Sequence, residues 1–207
     1  MAEPLVLGFD TSAAHCAAAL VSGGAVIAAR HDDMAKGQAE HLMPMLADLL
    51  ASAGADWGDL AALGVGIGPG NFTGIRISVA AARGLALGLG IPAYGISTFE
   101  AMALDAPRPL TVVIDARRGQ IYSQNFGADG ATPRMHLADG FQPPHAVVAL
   151  PGVADHAAPP RHDIGPAIAL IAARHLRAGR PAARPAPLYI RPADAAPPSE
   201  PAPVIVP

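Results

Sequence analysis

Short apolar runs separated by turn residues occupy the first part of the chain, and their spacing is typical of β-strands. Residues 5–9, 16–21 and 25–29 form three such runs. The tripeptide Ser-Gly-Gly at 22–24 stands between the second and the third run. Two apolar runs that flank a Gly-Gly turn predict a β-hairpin. We therefore expect three strands at the start, the last two paired as a hairpin.

Residues 39–53 repeat apolar residues every three or four positions, which is the spacing of an amphipathic helix. A second helix is predicted over the long Ala- and Gly-rich run at 75–89. Apolar runs at 61–67 and 91–96 predict strands on either side of the second helix, and Ser97 can cap a further short helix. The order predicted for the first half is β-β-β-α-β-α-β-α.

The second half of the chain is less regular. Residues 111–114 and 120–126 predict two paired strands. Residues 166–178 predict a helix that stops at Gly179. The long segment 128–165 is rich in Pro, Gly and His and predicts no element.

Breaks in composition divide the chain into three parts. Prolines cluster near residue 108 and again throughout the C-terminal end, and clustered prolines favour connections over regular elements. We expect a first lobe at residues 1–105, a smaller and less regular lobe at 106–193, and a Pro-rich tail at 194–207.

The composition indicates a folded, soluble protein of the cytoplasm. Hydrophobic residues make up 51% of the chain and charged residues 15%, with a net charge of −3, which is ample material for a core. Cys16 is the single cysteine, so no internal disulfide can form, as suits a reducing compartment. We see no leader peptide and no apolar run of the roughly 20 residues that a membrane span needs.

Charged and metal-binding residue types give two further expectations. Residues 161–191 hold six arginines against Asp163 alone. Such a cluster can meet RNA phosphates or an acidic partner, or it can be a solvated surface, and the sequence leaves these open. The chain has eight histidines, but no pair has the i, i+4 spacing of metal ligands on a helix, so we expect no metal site.

The sequence Gly-Pro-Gly-Asn-Phe-Thr-Gly at 68–74 joins the fourth strand to the second helix. Its glycines and proline specify a shaped turn, which can present backbone N–H groups to an anion. It lacks the Lys-Ser/Thr of a Walker A loop and departs from the dinucleotide fingerprint. Gly74, Ser78 and Ala82 recur every four residues and make one helix face thin. Either a partner helix or the chain's own sheet can fill that face.

A second polar motif follows the first strand. Asp10, Thr11 and Ser12 offer a carboxylate and two hydroxyls at a strand end. This arrangement predicts either a loop that holds a nucleotide phosphate through a metal or its waters, or a local turn closed by its own side chains.

The motif at 68–77, Gly-Pro-Gly-Asn-Phe-Thr-Gly-Ile-Arg-Ile, closely resembles the signature Gly-Pro-Gly-Ser-Phe-Thr-Gly-Leu-Arg-Ile of the bacterial TsaB (YeaZ) family. Four further segments agree in order: Leu-Gly-Phe-Asp-Thr-Ser at 7–12, Ala-Glu-His-Leu-Met-Pro-Met at 39–45, Ile-Asp-Ala-Arg-Arg-Gly-Gln-Ile-Tyr at 114–122 and Leu-Tyr-Ile-Arg-Pro-Ala-Asp at 188–194. The chain departs from the family pattern at Asn71, which replaces Ser, and at Gln38 and Ala39, which replace His-Ser.

The resemblance implies an α/β, two-lobed ASKHA (actin/Hsp70/sugar-kinase-like) fold of ribonuclease H-like topology. It also implies a non-catalytic subunit of the complex that makes N6-threonylcarbamoyladenosine at position 37 of tRNAs reading ANN codons. In that family the partner TsaD holds the metal and nucleotide, and the ATPase TsaE joins the pair. We therefore expect no catalytic residue and no cofactor on this chain, contact with tRNA through the complex, and a homodimer when the partner is absent.

The resemblance further places the two helices 39–53 and 72–89 at the interface with TsaD, and it makes Asp10, Thr11 and Ser12 a candidate vestigial nucleotide loop. On that basis a charged residue at Ile75 or Val79 is expected to abolish binding. The alternative is an ASKHA phosphotransferase or a metallopeptidase-like enzyme. The interface residues expected are Leu42, Met45, Leu46, Phe72, Gly74, Ile75, Arg76, Ser78, Val79 and Ala82.

Overall fold

A five-stranded mixed sheet forms the first lobe. The computed structural model describes residues 3–127 and 131–191. In this sheet the strands stand in the order β3-β2-β1-β4-β5, with β2 antiparallel to both β1 and β3 and with β4 parallel to β1 and β5. The strands are β1 (Leu5–Asp10), β2 (His15–Ser22), β3 (Ala25–Asp33), β4 (Leu60–Gly66) and β5 (Ala93–Ile96).

Helices cover both faces of this sheet, because successive residues of a strand point to opposite sides. Leu7 and Phe9 of β1 pack in one apolar cluster with helices α1 (Gln38–Ser52) and α2 (Phe72–Leu89). Val6, which lies between them in sequence, packs in a second cluster with helix α4 (Ile164–Arg177). The first sheet is therefore buried between two helical layers.

Helix α2 has defined ends. The Asn71 side-chain oxygen accepts hydrogen bonds from the backbone N–H groups of Thr73 and Gly74, at 3.0 and 3.1 Å, and caps the N-terminus. The helix stops at Gly90, whose φ of 67° is the left-handed conformation that favours glycine. Among the described residues α2 is the one helix long and apolar enough to span a membrane by length and composition, with 28% of it buried. Core helices of globular proteins pass the same test.

The second lobe is built on a smaller sheet, with strand order β8-β7-β6-β9. Phe99 and Met102 of the short helix α3 (Thr98–Met102) pack on its core strand, beside Leu110 and Val112. The strands are β6 (Leu110–Arg117), β7 (Gln120–Phe126), β8 (Arg134–Leu137) and β9 (Ala146–Val148).

Residues 180–191, which we call the strap, cross from the first lobe to the second. The N–H of Leu188 donates to the carbonyl of Ile67 at the end of β4, at 2.8 Å. Three residues later, Nη2 of Arg191 donates to the carbonyl of Ala116 in β6, at 3.0 Å. The strap therefore ties the two sheets together.

The element order expected for the first half is confirmed, including the hairpin and the capped helix at Ser97. Strands β8 and β9 were not expected, because the segment 128–165 lacks an alternating apolar pattern. The lobes are not divided in space at residue 105, because helix α4, which comes after that residue in the chain, packs on the sheet of the first lobe. The tail expected at 194–207 lies outside the described residues.

Candidate functional site

The loop after β1 and the turn before α2 pack directly on each other, and we call this contact the loop junction. The hydroxyl of Thr11 donates to the carbonyl of Gly74 at 2.7 Å. The carbonyl of Ser12 accepts from the N–H of Asn71. Thr11 and Ser12 are buried, so these bonds are shielded from water. The two motifs that the sequence singled out are thus one structural unit.

Glycines make the loop junction possible. A side chain at Gly70 would overlap the carbonyl of Ser12, and one at Gly74 would overlap the carbonyl of Thr11. At Gly66, on the neighbouring strand, a Cβ would overlap the carboxylate of Asp10. The glycines of the motif therefore serve the close approach of one backbone to another.

Asp10 lies at the centre of this junction and is fully buried. Its Oδ2 accepts from the N–H and the hydroxyl of Ser12, at 2.8 and 2.9 Å, and lies 2.8 Å from Nε2 of His15. Its Oδ1 has no hydrogen-bond partner within the part of the chain that the structure describes. An unpartnered buried carboxylate oxygen is unusual in a folded protein.

The junction is a poor match for a phosphate cradle. A phosphate loop needs hydroxyl and N–H groups that point to an open space. Here the Thr11 hydroxyl is bonded to Gly74 and the Ser12 hydroxyl to Asp10, and the turn at 68–74 covers both. The hydroxyl groups of the candidate nucleotide loop therefore donate their hydrogen bonds within the chain and not to a ligand.

The residues expected at the partner interface are mostly core residues, which corrects part of the sequence prediction. Ile75 and Val79 are 1% and 3% exposed and pack against the first sheet. The small-residue face of α2, formed by Gly74, Ser78 and Ala82, packs on the chain's own backbone, since a Cβ at Gly74 would meet Thr11. Eight of the ten are buried: Leu42, Met45, Leu46, Gly74, Ile75, Ser78, Val79 and Ala82. Their side chains cannot contact a partner directly.

The other two expected interface residues are exposed and contact the strap. The guanidinium carbon of Arg76 lies 3.7 Å above the ring of Phe72. The Phe72 ring lies 5.0 Å from the ring of Tyr189, measured between centroids. This cluster is on the surface at the start of α2.

The two helices do offer an exposed apolar surface, but through residues that the sequence reasoning did not select. A groove runs between α1 and α2, and we call it the α1–α2 groove. A Cβ added at Gly84 or Gly88 would meet no atom within 4 Å, so the groove floor is open. The spacing of these two glycines was visible in the sequence, but not which face they share. The lining residues are Met43, Ala81, Gly84, Leu85, Gly88 and Leu89.

Several titratable side chains near α1 interact through hydrogen bonds and charge. Hydrogen bonds from His41 and then from Arg30 lower the pKa of Asp32. Burial, followed by the nearby charges of Asp32 and Asp10, raises the pKa of the Cys16 thiol to about 11. Across residues 3–127 and 131–191, no group of three His, Cys, Asp or Glu side chains is placed to hold a metal ion.

The architecture identifies the class of protein. The β-β-β-α-β-α-β-α lobe with a helix on the opposite face, followed by a second sheet, is the two-lobed ASKHA fold with ribonuclease H-like topology. YeaZ from Pseudomonas aeruginosa matches 90% of this chain and 99% of its own with a TM-score of 0.71 at 22% identity. A second Pseudomonas aeruginosa structure, described as similar to peptidase YeaZ, matches 91% of this chain and 100% of its own with a TM-score of 0.73 at 22% identity.

Sequence comparisons give the family. The family model TsaD, tRNA N6-adenosine threonylcarbamoyltransferase, matches residues 32–175. The TsaB protein of Escherichia coli K12, named for tRNA threonylcarbamoyladenosine biosynthesis, is 37% identical over 130 residues, or 60% of this chain and 55% of that protein. An uncharacterized Mycobacterium tuberculosis protein is 34% identical over 200 residues, 93% of this chain and 94% of its own. The chain belongs to the TsaD-type threonylcarbamoyltransferase family and, within it, to the TsaB (YeaZ) group.

The extent of these matches differs between relatives. The chain spans about half the length of the Escherichia coli TsaB protein that it matches. It spans nearly all of the mycobacterial protein. What the TsaB proteins do as whole molecules is therefore carried to this chain as a proposal.

Proposed function

We propose that the chain is a non-catalytic scaffold subunit of the complex that makes N6-threonylcarbamoyladenosine in tRNA, and that it binds and supports the catalytic TsaD-type subunit. Membership of the TsaB group supports the pathway. The observation that carries the scaffold role is the α1–α2 groove, an exposed apolar surface on the two helices that the family resemblance assigns to the interface.

The groove suits a helix of the partner. Its floor is formed by Ala81, Gly84 and Gly88, which carry no side chain or a single methyl group, so another backbone can approach closely. Its rim carries larger apolar side chains such as Met43, which is 39% exposed. Apolar rims with a small-residue floor bury surface on docking without steric overlap. The buried residues Ile75 and Val79 contribute indirectly, by holding α2 on the sheet.

The interface is tested with charged substitutions on the groove floor. Gly84→Arg and Ala81→Arg place a long charged side chain where the partner helix docks; Gly84 is exposed and Ala81 is half-buried. Each variant should remain folded but lose copurification with the TsaD-type subunit. Ala29→Arg adds the same charge on the exposed edge strand β3 and should copurify normally. Normal binding by the Gly84→Arg variant would remove the groove from the interface.

The same surface gives a prediction for the isolated chain. Without its partner, two copies can close their α1–α2 grooves on each other as a symmetric dimer. Sedimentation should show that the unmodified chain is a dimer and that the Gly84→Arg variant is a monomer. Addition of the TsaD-type subunit should dissociate the dimer of the unmodified chain. In the proposed complex, which acts in the cytoplasm, the ATPase TsaE joins the pair and tRNA is bound by the assembly.

A nucleotide-dependent enzyme is the competing function, and the unpartnered Oδ1 of Asp10 is the observation that favours it. The non-catalytic proposal is supported by the internal bonds of Thr11 and Ser12. Calorimetry with ATP and Mg²⁺ separates the two. We expect no binding by the isolated chain, whereas tight Mg²⁺-dependent binding that Asp10→Ala abolishes would favour the enzyme.

A further inference from the structure

An exposed aromatic pair lies where the strap crosses the start of α2. Phe72 and Tyr189 are 43% and 44% exposed, and their ring centroids are 5.0 Å apart. Nε of Arg76 donates to the hydroxyl of Tyr189 at 3.0 Å, while its guanidinium carbon lies 3.7 Å above the Phe72 ring. Two rings and a guanidinium plane are thus fixed together in contact with solvent.

Arginines extend this cluster in both directions along the strap. Nε of Arg83, two turns further along α2, donates to the carbonyl of Pro185 at 2.7 Å, and the exposed Arg184 is next to that carbonyl. At the other end Arg191 donates to the carbonyl of Ala116, next in sequence to the exposed Arg117, so the β6–β7 hairpin contacts the strap. We call these residues the arginine row: Arg76, Arg83, Arg117, Arg184 and Arg191.

The charge of the row remains available to a ligand. Arg76, Arg83 and Arg191 donate to hydroxyl, carbonyl and amide oxygens, which are neutral. A guanidinium has five N–H donors, so several on each side chain can still meet an anion. Helix α2 and the strap contain no Asp or Glu. The carboxylate next in sequence to the row is the exposed Asp115, whose Oδ1 accepts from the backbone N–H of Arg117.

The row is long enough for several nucleotides. Arg83 and Arg76 are separated by seven helical residues, or about 10 Å. The extended strap from Tyr189 to Arg191 adds about 7 Å, and the hairpin lies beyond it. Positive charges over roughly 20 Å, with stacked rings between them, match a single-stranded nucleic acid, whose phosphates and bases alternate.

We propose that the arginine row and the Phe72–Tyr189 pair form an RNA-binding surface on this chain itself, with phosphates on the arginines and an unpaired base stacked on the exposed rings. Acidic proteins also fit a basic surface, but they do not account for two aromatic side chains that are each more than 40% exposed. Unpaired bases are recognised by stacking on aromatic rings and guanidinium planes. The surface is distinct from the α1–α2 groove, because its residues contact the strap and not α1.

The test is fluorescence anisotropy of the isolated full chain with a labelled tRNA anticodon stem-loop and with a fully paired RNA duplex. The double variant Arg117→Gln/Arg184→Gln removes two exposed charges of the row. Each lost phosphate contact lowers the slope of log affinity against log salt concentration by about 0.7. Two lost contacts should therefore lower affinity for the stem-loop about 25-fold at about 0.1 M salt. The matched control Arg161→Gln/Arg177→Gln removes two exposed charges elsewhere and should leave the affinity unchanged.

A second variant tests the stacking surface. Tyr189→Leu should lower stem-loop affinity by roughly five- to 150-fold and leave duplex binding unchanged, because paired bases offer no face to stack on. Tyr189→Phe keeps the ring and should bind like the unmodified chain. The Gly84→Arg variant should also bind RNA normally, so failure of the scaffold proposal is distinguishable from failure of this one.

Three results would overturn the RNA-binding surface. One is an isolated chain that binds neither RNA. Another is an equal loss of affinity in the Arg161/Arg177 control, which would indicate non-specific attraction. The third is loss of copurification with the TsaD-type subunit in the Arg117/Arg184 variant while RNA binding is unchanged, which would make the surface a protein interface.

Discussion

The substitution Gly74→Ala tests the loop junction most sharply. The new Cβ would lie 1.8 Å from the carbonyl oxygen of Thr11 and 2.9 Å from its carbonyl carbon. Ordinary non-bonded contacts are about 3.5 Å, so the two backbones must move apart by more than about 1 Å. That displacement also stretches the 2.7 Å bond from the Thr11 hydroxyl to Gly74. The atoms in conflict are backbone atoms, which cannot swing away like the end of a side chain.

The size of the effect follows from three contributions. Overpacking a filled site costs about 1–3 kcal/mol, and the weakened hydrogen bond costs about 1 kcal/mol. Alanine improves the helix by about 1 kcal/mol over glycine. The net expectation is a loss of about 1–3 kcal/mol of unfolding free energy.

Gly84→Ala is the matched control, because it is the same change in the same helix. A Cβ at Gly84 meets no atom within 4 Å. The control should therefore gain about 0.5–1 kcal/mol of unfolding free energy. Urea denaturation followed by circular dichroism gives both values. If Gly74→Ala is as stable as the unmodified chain, the close approach of the two loops is wrong.

Three further predictions concern burial and charge. Cys16, whose thiol is buried with its pKa raised to about 11, should resist Ellman's reagent at about pH 8 until urea unfolds the chain; rapid reaction of the native protein would contradict this. Hydrogen bonds from Arg174 hold the pKa of Asp105 below its usual 3.8, so Asp105→Asn should lose up to about 1 kcal/mol at neutral pH. That difference should vanish as pH falls through the folded pKa, and a difference that grows on acidification would refute the pairing. Ile75→Asp should lower the free energy of unfolding by at least about 3 kcal/mol, because it buries a charge in the core. Stability equal to that of Gly84→Arg would mean that Ile75 is on the surface.

The sequence predicts the first lobe well because its signals are local. Each strand is an apolar run between turn residues, and α2 carries its own cap at Asn71 and its own stop at Gly90. Such signals depend on neighbours along the chain. Strands β8 and β9 are short and partly exposed; β8 pairs with β7, its neighbour in the chain, and β9 pairs with β6 across a long connection. Nothing in their own residues distinguishes them from a loop.

The role of the small-residue face depends on a long-range contact that the sequence cannot give. The spacing of Gly74, Ser78 and Ala82 shows that something approaches closely, but not what. Thr11, which fills the space beside Gly74, is 63 residues away in the chain. The face that the sequence offered to a partner is therefore used inside the monomer, while the open glycines, Gly84 and Gly88, lie beyond Ala82 toward the C-terminal end of α2.

The contacts of the strap are also long-range and could not be predicted from the sequence. The segment Leu-Tyr-Ile-Arg at 188–191 resembles the family sequence. Its contact with Phe72 and Arg76 joins residues more than a hundred positions apart. Only the folded chain shows that the exposed aromatic residues and the arginines of distant segments form one surface.

Reconstituted tRNA modification tests the central claim most directly. Purified TsaD-type and TsaE-type subunits, a source of threonylcarbamoyl-AMP and substrate tRNA are combined with the unmodified chain, with the Gly84→Arg variant, or with neither. Mass spectrometry of the digested tRNA measures N6-threonylcarbamoyladenosine. We predict that modification requires the unmodified chain and falls to background with Gly84→Arg. Full modification in the absence of the chain would contradict its role as a scaffold.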